Sequence, residues 1–286
     1  MSGAIPPAPR GVAFRGAGGL TVAGDAYGPA EGAPVVLLHG AGQTRHAWGE
    51  TARALAARGY HVVSLDLRGH GDSAWSDYGD YTLSALLTDL RAVLATLGRP
   101  AILIGASLGG LTALLAAGEG PHARIRALVL VDVTPNPDPA RVAPIRAFMA
   151  AHTGGFTDVE EAAAAVSAYR PGRGPRSDVS GLLKNLRVRN GRLHWHWDPA
   201  LVSSISGHLE GARRLVEAAR QVTVPTLLVR GAHSELVGEQ DAAELEDLIP
   251  HVAVVTVDGA RHMVAGDQNT EFGAALLQHL ERVAPP

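Results

Sequence analysis

The sequence predicts an α/β fold built on a doubly wound, mostly parallel sheet that carries a largely helical cap insertion. Three observations lead there. Short runs of Val, Ile and Leu recur along the chain and are apolar throughout rather than alternating, as strands covered on both faces must be. Each run is followed by a stretch with helical apolar spacing. One long segment between two such runs contains no strand of that kind.

In chain order, residues 11–14 and 20–26 read as an antiparallel lead-in hairpin. The parallel strands are predicted at 35–38, 62–65, 101–104, 127–131, 226–229 and 252–257, and the helices at 48–57, 83–97, 108–117, 242–248 and 270–282. From Thr134 to Gln221 the pattern changes to helical stretches broken by glycine and proline. Thr157-Asp158-Val159-Glu160 reads as a capping box before an alanine-rich helix. Arg170-Pro171-Gly172-Arg173-Gly174-Pro175 is a turn-rich break, and Asn190-Gly191 sits where a tight hairpin needs two residues of positive φ. An insertion this long between core strands covers a site more often than it links domains. The expected division is a core of residues 1–133 and 222–286 with a cap at 134–221.

Hydrophobic residues make up 46% of the 286 residues and charged residues 19%, which suits a globular core. A formal net charge of −3 gives no basic footprint for nucleic acid. The absence of cysteine removes disulfides, thiolate nucleophiles and zinc–thiolate sites together. Residues 1–10 lack a basic-then-apolar leader, and no apolar run approaches the roughly 18 residues that span a bilayer. A cytoplasmic protein with no membrane contact is expected.

The chemistry concentrates in Gly105-Ala106-Ser107-Leu108-Gly109, where a strand runs into Gly-x-Ser-x-Gly and out into a helix. Such a turn presents the serine hydroxyl outward. It packs the flanking positions so closely that only small side chains fit, hence Gly105 and Gly109. A serine hydroxyl needs a base, and His262 stands in the loop after the last strand, within Asp258-Gly259-Ala260-Arg261-His262. The acid that orients the histidine is expected at Glu235, the carboxylate in the loop after the preceding strand, with Asp132, after the strand at 127–131, as the alternative. The backbone amides of Leu108 and Ala41 are the expected oxyanion donors. Gln43 is a candidate side-chain donor from the same loop, while His39 and Gly40 shape it.

These segments, with His39-Gly40-Ala41-Gly42 and Asp66-Leu67-Arg68-Gly69-His70-Gly71-Asp72-Ser73, resemble the α/β-hydrolase superfamily. The likeness is nearest to its capped esterases, enol-lactonases, cofactor-free haloperoxidases and carbon–carbon bond hydrolases. It implies the fold, a structural role for the loop 66–73, and no cofactor. Glu235 departs from the aspartate usual there, and serine at the elbow separates the chain from epoxide hydrolases and haloalkane dehalogenases. The expected activity is cleavage of a small or medium, fairly hydrophobic carboxylic ester through an acyl-enzyme. Lactonase, perhydrolase and carbon–carbon hydrolase chemistry remain open on the same groups, and a ligand-binding receptor with little turnover is the alternative of another class.

Lesser signals have plainer readings beside functional ones. Trp195 and Trp197, on one face of a strand, either line an apolar pocket or pack the cap. Trp48 either braces the oxyanion loop or floors the pocket. His194 and His196 have the spacing of a metal pair but no third ligand, so no metal is expected.

Overall fold

The computed structural model describes residues 8–120, 122–169, 180–204, 211–260 and 269–286. Ten strands are β1 (Arg10–Arg15), β2 (Thr21–Tyr27), β3 (Pro34–Leu38), β4 (His61–Leu65), β5 (Ala101–Ala106), β6 (Ile125–Val131), β7 (Leu186–Arg189), β8 (Arg192–Trp195), β9 (Thr226–Gly231) and β10 (Val252–Val257). The helices used below are α1 (Gly49–Ala57), α2 (Leu83–Leu97), α3 (Leu108–Glu119), α4 (Pro139–Ala150), α5 (Val159–Tyr169), α6 (Ser180–Leu183), α7 (Ala212–Arg220), α8 (Glu239–Leu248) and α9 (Asn269–Val283).

Eight strands form one sheet in the order β1-β2-β4-β3-β5-β6-β9-β10. The six from β4 to β10 pair in parallel, while β1 and β2 pair antiparallel to each other and β2 to β4. The continuous apolar runs now have a cause. Val36, Leu38, Leu103, Leu128 and Leu228 point into a core shared with α2, α3, α7 and α8. Their neighbours Val35, Leu37, Ile102, Val129 and Leu227 point into a second core closed by α1 and α9. Each fully buried Val or Leu contributes about 1.5–3 kcal/mol, so both faces must be apolar.

Strand order reverses between β3 and β5: the chain passes from β3 to β4 on one side, then returns to β5 on the other. In open α/β sheets the crevice at the carboxyl ends of such strands is where ligands bind. The loop 39–43 leaves β3 there, and Ser107 leaves β5.

The insertion folds as a third apolar cluster built on Met149, Phe156, Trp195, Trp197 and Leu201, which also takes in Tyr81 of the core. The hairpin β7–β8 turns on Asn190 (φ 51°) and Gly191 (φ 73°), both left-handed as expected. The cap at α5 is displaced by one residue from the predicted box. Asp158 Oδ1 accepts from the Glu161 amide at 2.8 Å, and the Glu161 carboxylate accepts from the Thr157 amide at 2.7 Å. The expected boundary at residue 221 also shifts, because α7 lies against α3 as part of the core layer. A Cβ on Gly118 of α3 would stand 2.1 Å from the Ala218 carbonyl oxygen, so the two helices meet backbone to backbone. Among the described residues, no helix is long and apolar enough to cross a membrane.

That contact makes Gly118→Ala an overpacking change in a backbone-lined gap. It should lower stability by about 1–3 kcal/mol, read as a fall in the urea midpoint at unchanged slope.

Candidate active site

A single residue, Ser107, separates the end of β5 from the start of α3. Ser107 has φ 48° and ψ −119°, a conformation that side-chain-bearing residues rarely adopt. Two backbone hydrogen bonds hold it: the Ser107 amide donates to Val131 O at 3.3 Å, and Ser107 O accepts from the Leu111 amide at 2.9 Å. A Cβ on Gly105 would lie 2.4 Å from Gly109 O, and one on Gly109 would lie 2.3 Å from Leu38 O. Both glycines are therefore required by contact with backbone that cannot step aside. Leu108 opens α3, so its amide is among the first-turn donors that have no partner within the helix.

The loop after β3 lies directly against this turn, with the Cβ position of Gly40 only 3.2 Å from Ser107 Cβ. Most of its amides are engaged. Gly40 N donates to Gln43 Oε1 at 3.2 Å, Gln43 N to Gly40 O at 3.1 Å, and Gly42 N to His70 Nε2 at 3.1 Å. That leaves the Ala41 amide uncommitted in this loop among the described residues. Gln43 braces the loop from within.

Two buried histidines support the loop from below. His39 receives the Leu67 amide on Nε2 at 3.0 Å and donates from Nδ1 to Gly40 O at 2.8 Å. His70 receives Gly42 N and donates from Nδ1 to Arg68 O at 3.1 Å. The rings meet edge-on, 4.8 Å between centroids. Because each Nε2 faces an N–H, each ring is neutral with its proton on Nδ1. Burial pushes both imidazoles below their ordinary range, His70 furthest, with the neighbouring His39 adding to the effect.

Asp66 gathers the next layer. Its buried carboxylate accepts from the Arg45 amide at 2.6 Å and the Asp72 amide at 2.9 Å, and it pairs with the Arg45 guanidinium. Arg45 also reaches Asp25 at 3.1 Å and Asp72 at 2.7 Å. Arg68 forks onto Asp89 at 2.6 and 2.7 Å. The loop 66–73 is structural, as the resemblance implied.

The two acid candidates sit in unlike surroundings. Asp132 follows β6 with φ 51° and no exposed surface. Its Oδ2 accepts from Ser234 Oγ at 2.6 Å and its Oδ1 from the Gly231 amide at 3.3 Å. Asp132 also adjoins Val131, whose carbonyl receives the Ser107 amide. Glu235 lies on the exposed side of the loop after β9. Ser234 ties that loop to Asp132 and accepts from Leu236 N and Val237 N at 3.0 Å. Nothing in the sequence distinguished this serine from its neighbours. His262 lies outside the described residues.

Trp48 is corrected as a pocket residue, because it packs in the core. The short 3-10 turn Arg45–Trp48 carries its ring into the core against Phe272, 6.1 Å between centroids, and 1% of it is exposed. Trp195 and Trp197 stack 5.0 Å apart at 9°. They pack in the cap cluster, and with Trp75 and Met149 they line a shallow cleft. Met149 packs over Gly42, 3.4 Å from its Cβ position, which sets this cleft beside the oxyanion loop. Met149 was not singled out in the sequence, since one methionine in an apolar helix looks like any core residue. Among the described residues, no cluster of His, Asp or Glu could hold a metal ion.

The alpha/beta hydrolase family profile matches residues 35–275. The chain is 34% identical over 242 residues to the esterase Rv0045c of Mycobacterium tuberculosis, spanning 82% of this chain and 78% of that protein. It is 30% identical over 277 residues to the sn-1-specific diacylglycerol lipase ABHD11 of Mus musculus, spanning 90% and 82%. The solved structure of E-2-(acetamidomethylene)succinate hydrolase superposes with a TM-score of 0.84 at 25% identity, covering 96% of this chain and all of that one.

The buried neutral histidines set a pH dependence. Unfolded imidazoles bind protons from about pH 6.5 downward, whereas these stay neutral when folded, so the unfolded state holds more protons. Stability is then full above pH 6.5 and lost progressively below it. The urea midpoint should be lower at about pH 5.5 than at about pH 7.5, a window above the carboxylate range. His70→Gln should flatten the difference.

Proposed function

Since the chain belongs to the alpha/beta hydrolase family and resembles hydrolases over most of its length, we propose that it cleaves carboxylic esters with Ser107 as covalent nucleophile. Ser107 Oγ attacks the ester carbonyl while His262 takes its proton. The oxyanion settles between the amides of Leu108 and Ala41. His262 then returns the proton to the departing alcohol, and water hydrolyses the acyl-enzyme by the same cycle. The observation that carries this reading is the left-handed backbone of Ser107, held between a helix start and the uncommitted Ala41 amide. Strain of that kind persists only where the surrounding structure over-determines it, and it clusters at catalytic positions.

For the acid we propose Asp132 in place of Glu235. An orienting carboxylate works by holding one imidazole tautomer and stabilising the imidazolium. A buried group fixed by Ser234 and Gly231 does this better than one whose charge is screened by water. The stacked tryptophans and Met149 support a small or medium substrate with an apolar portion, bound beneath a cap formed by the insertion up to about residue 204. The expected partner is a small molecule.

A fluorophosphonate probe and 4-nitrophenyl butyrate test the nucleophile. Labelling and turnover in the parent, both absent from Ser107→Ala and turnover absent from His262→Ala, are expected; no labelling of the parent overturns the reading. Asp132→Asn should lower kcat on the order of a thousandfold with the fold retained by circular dichroism, while Glu235→Gln stays within about threefold. The reverse pattern would return the acid to Glu235.

A further inference from the structure

The cleft beside the oxyanion loop is not only apolar. Arg187 and Arg189 stand on the same face of β7, two residues apart, and both line it. Their guanidinium carbons lie 4.8 and 5.3 Å from the centroid of the same ring, Trp75. Neither meets a carboxylate within ion-pair distance among the described residues. Two other part-buried arginines are paired closely: Arg45 with Asp66, Arg68 with Asp89. Asp72, Asp198 and Asp66 favour the Arg187 charge only from beyond ion-pair distance. Arg187 Nη2 donates to Gly71 O at 2.7 Å, and its buried Nε has no hydrogen-bond partner. Burial first, and Arg189 beside it second, weaken its hold on its proton.

Two like charges that share one aromatic ring at a cleft favour an anion between them. A guanidinium presents a planar fork that matches a carboxylate. We propose that Arg187 and Arg189 form a carboxylate-binding subsite, so that the ester cleaved at Ser107 carries a carboxylate remote from the scissile bond. The apolar linker between the two groups packs on Trp195 and Trp197. This rests on Ser107 as nucleophile, and the geometry joins the two regions twice. Met149 lines the cleft and packs on Gly42. Gly71, whose carbonyl Arg187 holds, follows His70, whose Nε2 holds the Gly42 amide. A purely structural Arg187 tying down loop 66–73 would account for the Gly71 contact, but it leaves the exposed Arg189 over the same ring without a purpose.

The test compares mono-4-nitrophenyl succinate with 4-nitrophenyl butyrate on the full chain. The leaving group is the same, and only the first carries a terminal carboxylate. The parent should favour the succinate ester in kcat/KM. That ratio should fall at least about tenfold in Arg187→Gln and in Arg189→Ala, chiefly through KM. Because both substrates are read on one preparation, partial loss of folded enzyme does not move the ratio, and Arg189 is exposed, so its truncation leaves the core intact. A parent that favours butyrate, or a ratio unchanged in both variants, overturns the subsite. If the fluorophosphonate fails to label the parent, the nucleophile assignment fails separately, and tryptophan fluorescence titrated with succinate then reads the subsite alone. Saturable quenching lost in Arg189→Ala supports it; no quenching, or quenching indifferent to that change, overturns it.

Discussion

Everything at the candidate site depends on one backbone contact: the start of α3 pressed against the end of β3. Gly109 lies against Leu38 O and Gly105 against Gly109 O, at distances that admit no side chain. The Ser107 turn and the loop after β3 are therefore held by main chain touching main chain, which has little freedom to drift. The left-handed Ser107 is one consequence. The closeness of Gly40 to Ser107 is another.

Around that contact the polar groups are arranged in shells, each satisfied by the next. The amides of the oxyanion loop rest on His70 and Gln43, and its Gly40 carbonyl rests on His39. The histidines rest on the loop 66–73, which Asp66 and Arg45 close against β2 and β4. Buried polar groups are costly unless every partner is present. The network is thus both a brace and a source of acid sensitivity. Arg187 and Arg189 differ from Arg45 and Arg68 in lining a cleft with no carboxylate at ion-pair distance among the described residues.

Much of this was legible in the chain. The helix at 83–97 and the strand at 252–257 fall on their predicted bounds, because long periodic or continuously apolar runs leave little choice of element. The Asn190-Gly191 hairpin was legible for a different reason, since few residues tolerate two successive positive φ angles. Where the reading moved, side chains had competed locally. At α5 both Thr157 and Asp158 can cap, and Asp158 takes the amide while Glu161 reaches back past it. Likewise α7 reads as one more helix of the insertion, but its contact with Gly118 makes it a core helix.

The sequence by itself determined the sheet, the elbow and the oxyanion loop. Each is encoded by residues adjacent along the chain, and glycine at a fixed spacing is a local steric demand. Only the tertiary structure separated Asp132 from Glu235, turned Trp48 into the core and brought Arg187 and Arg189 together over Trp75. Those outcomes depend on burial and on partners contributed by distant segments. A carboxylate, an indole or a guanidinium looks the same in sequence whether it faces water, a core or an unpaired charge.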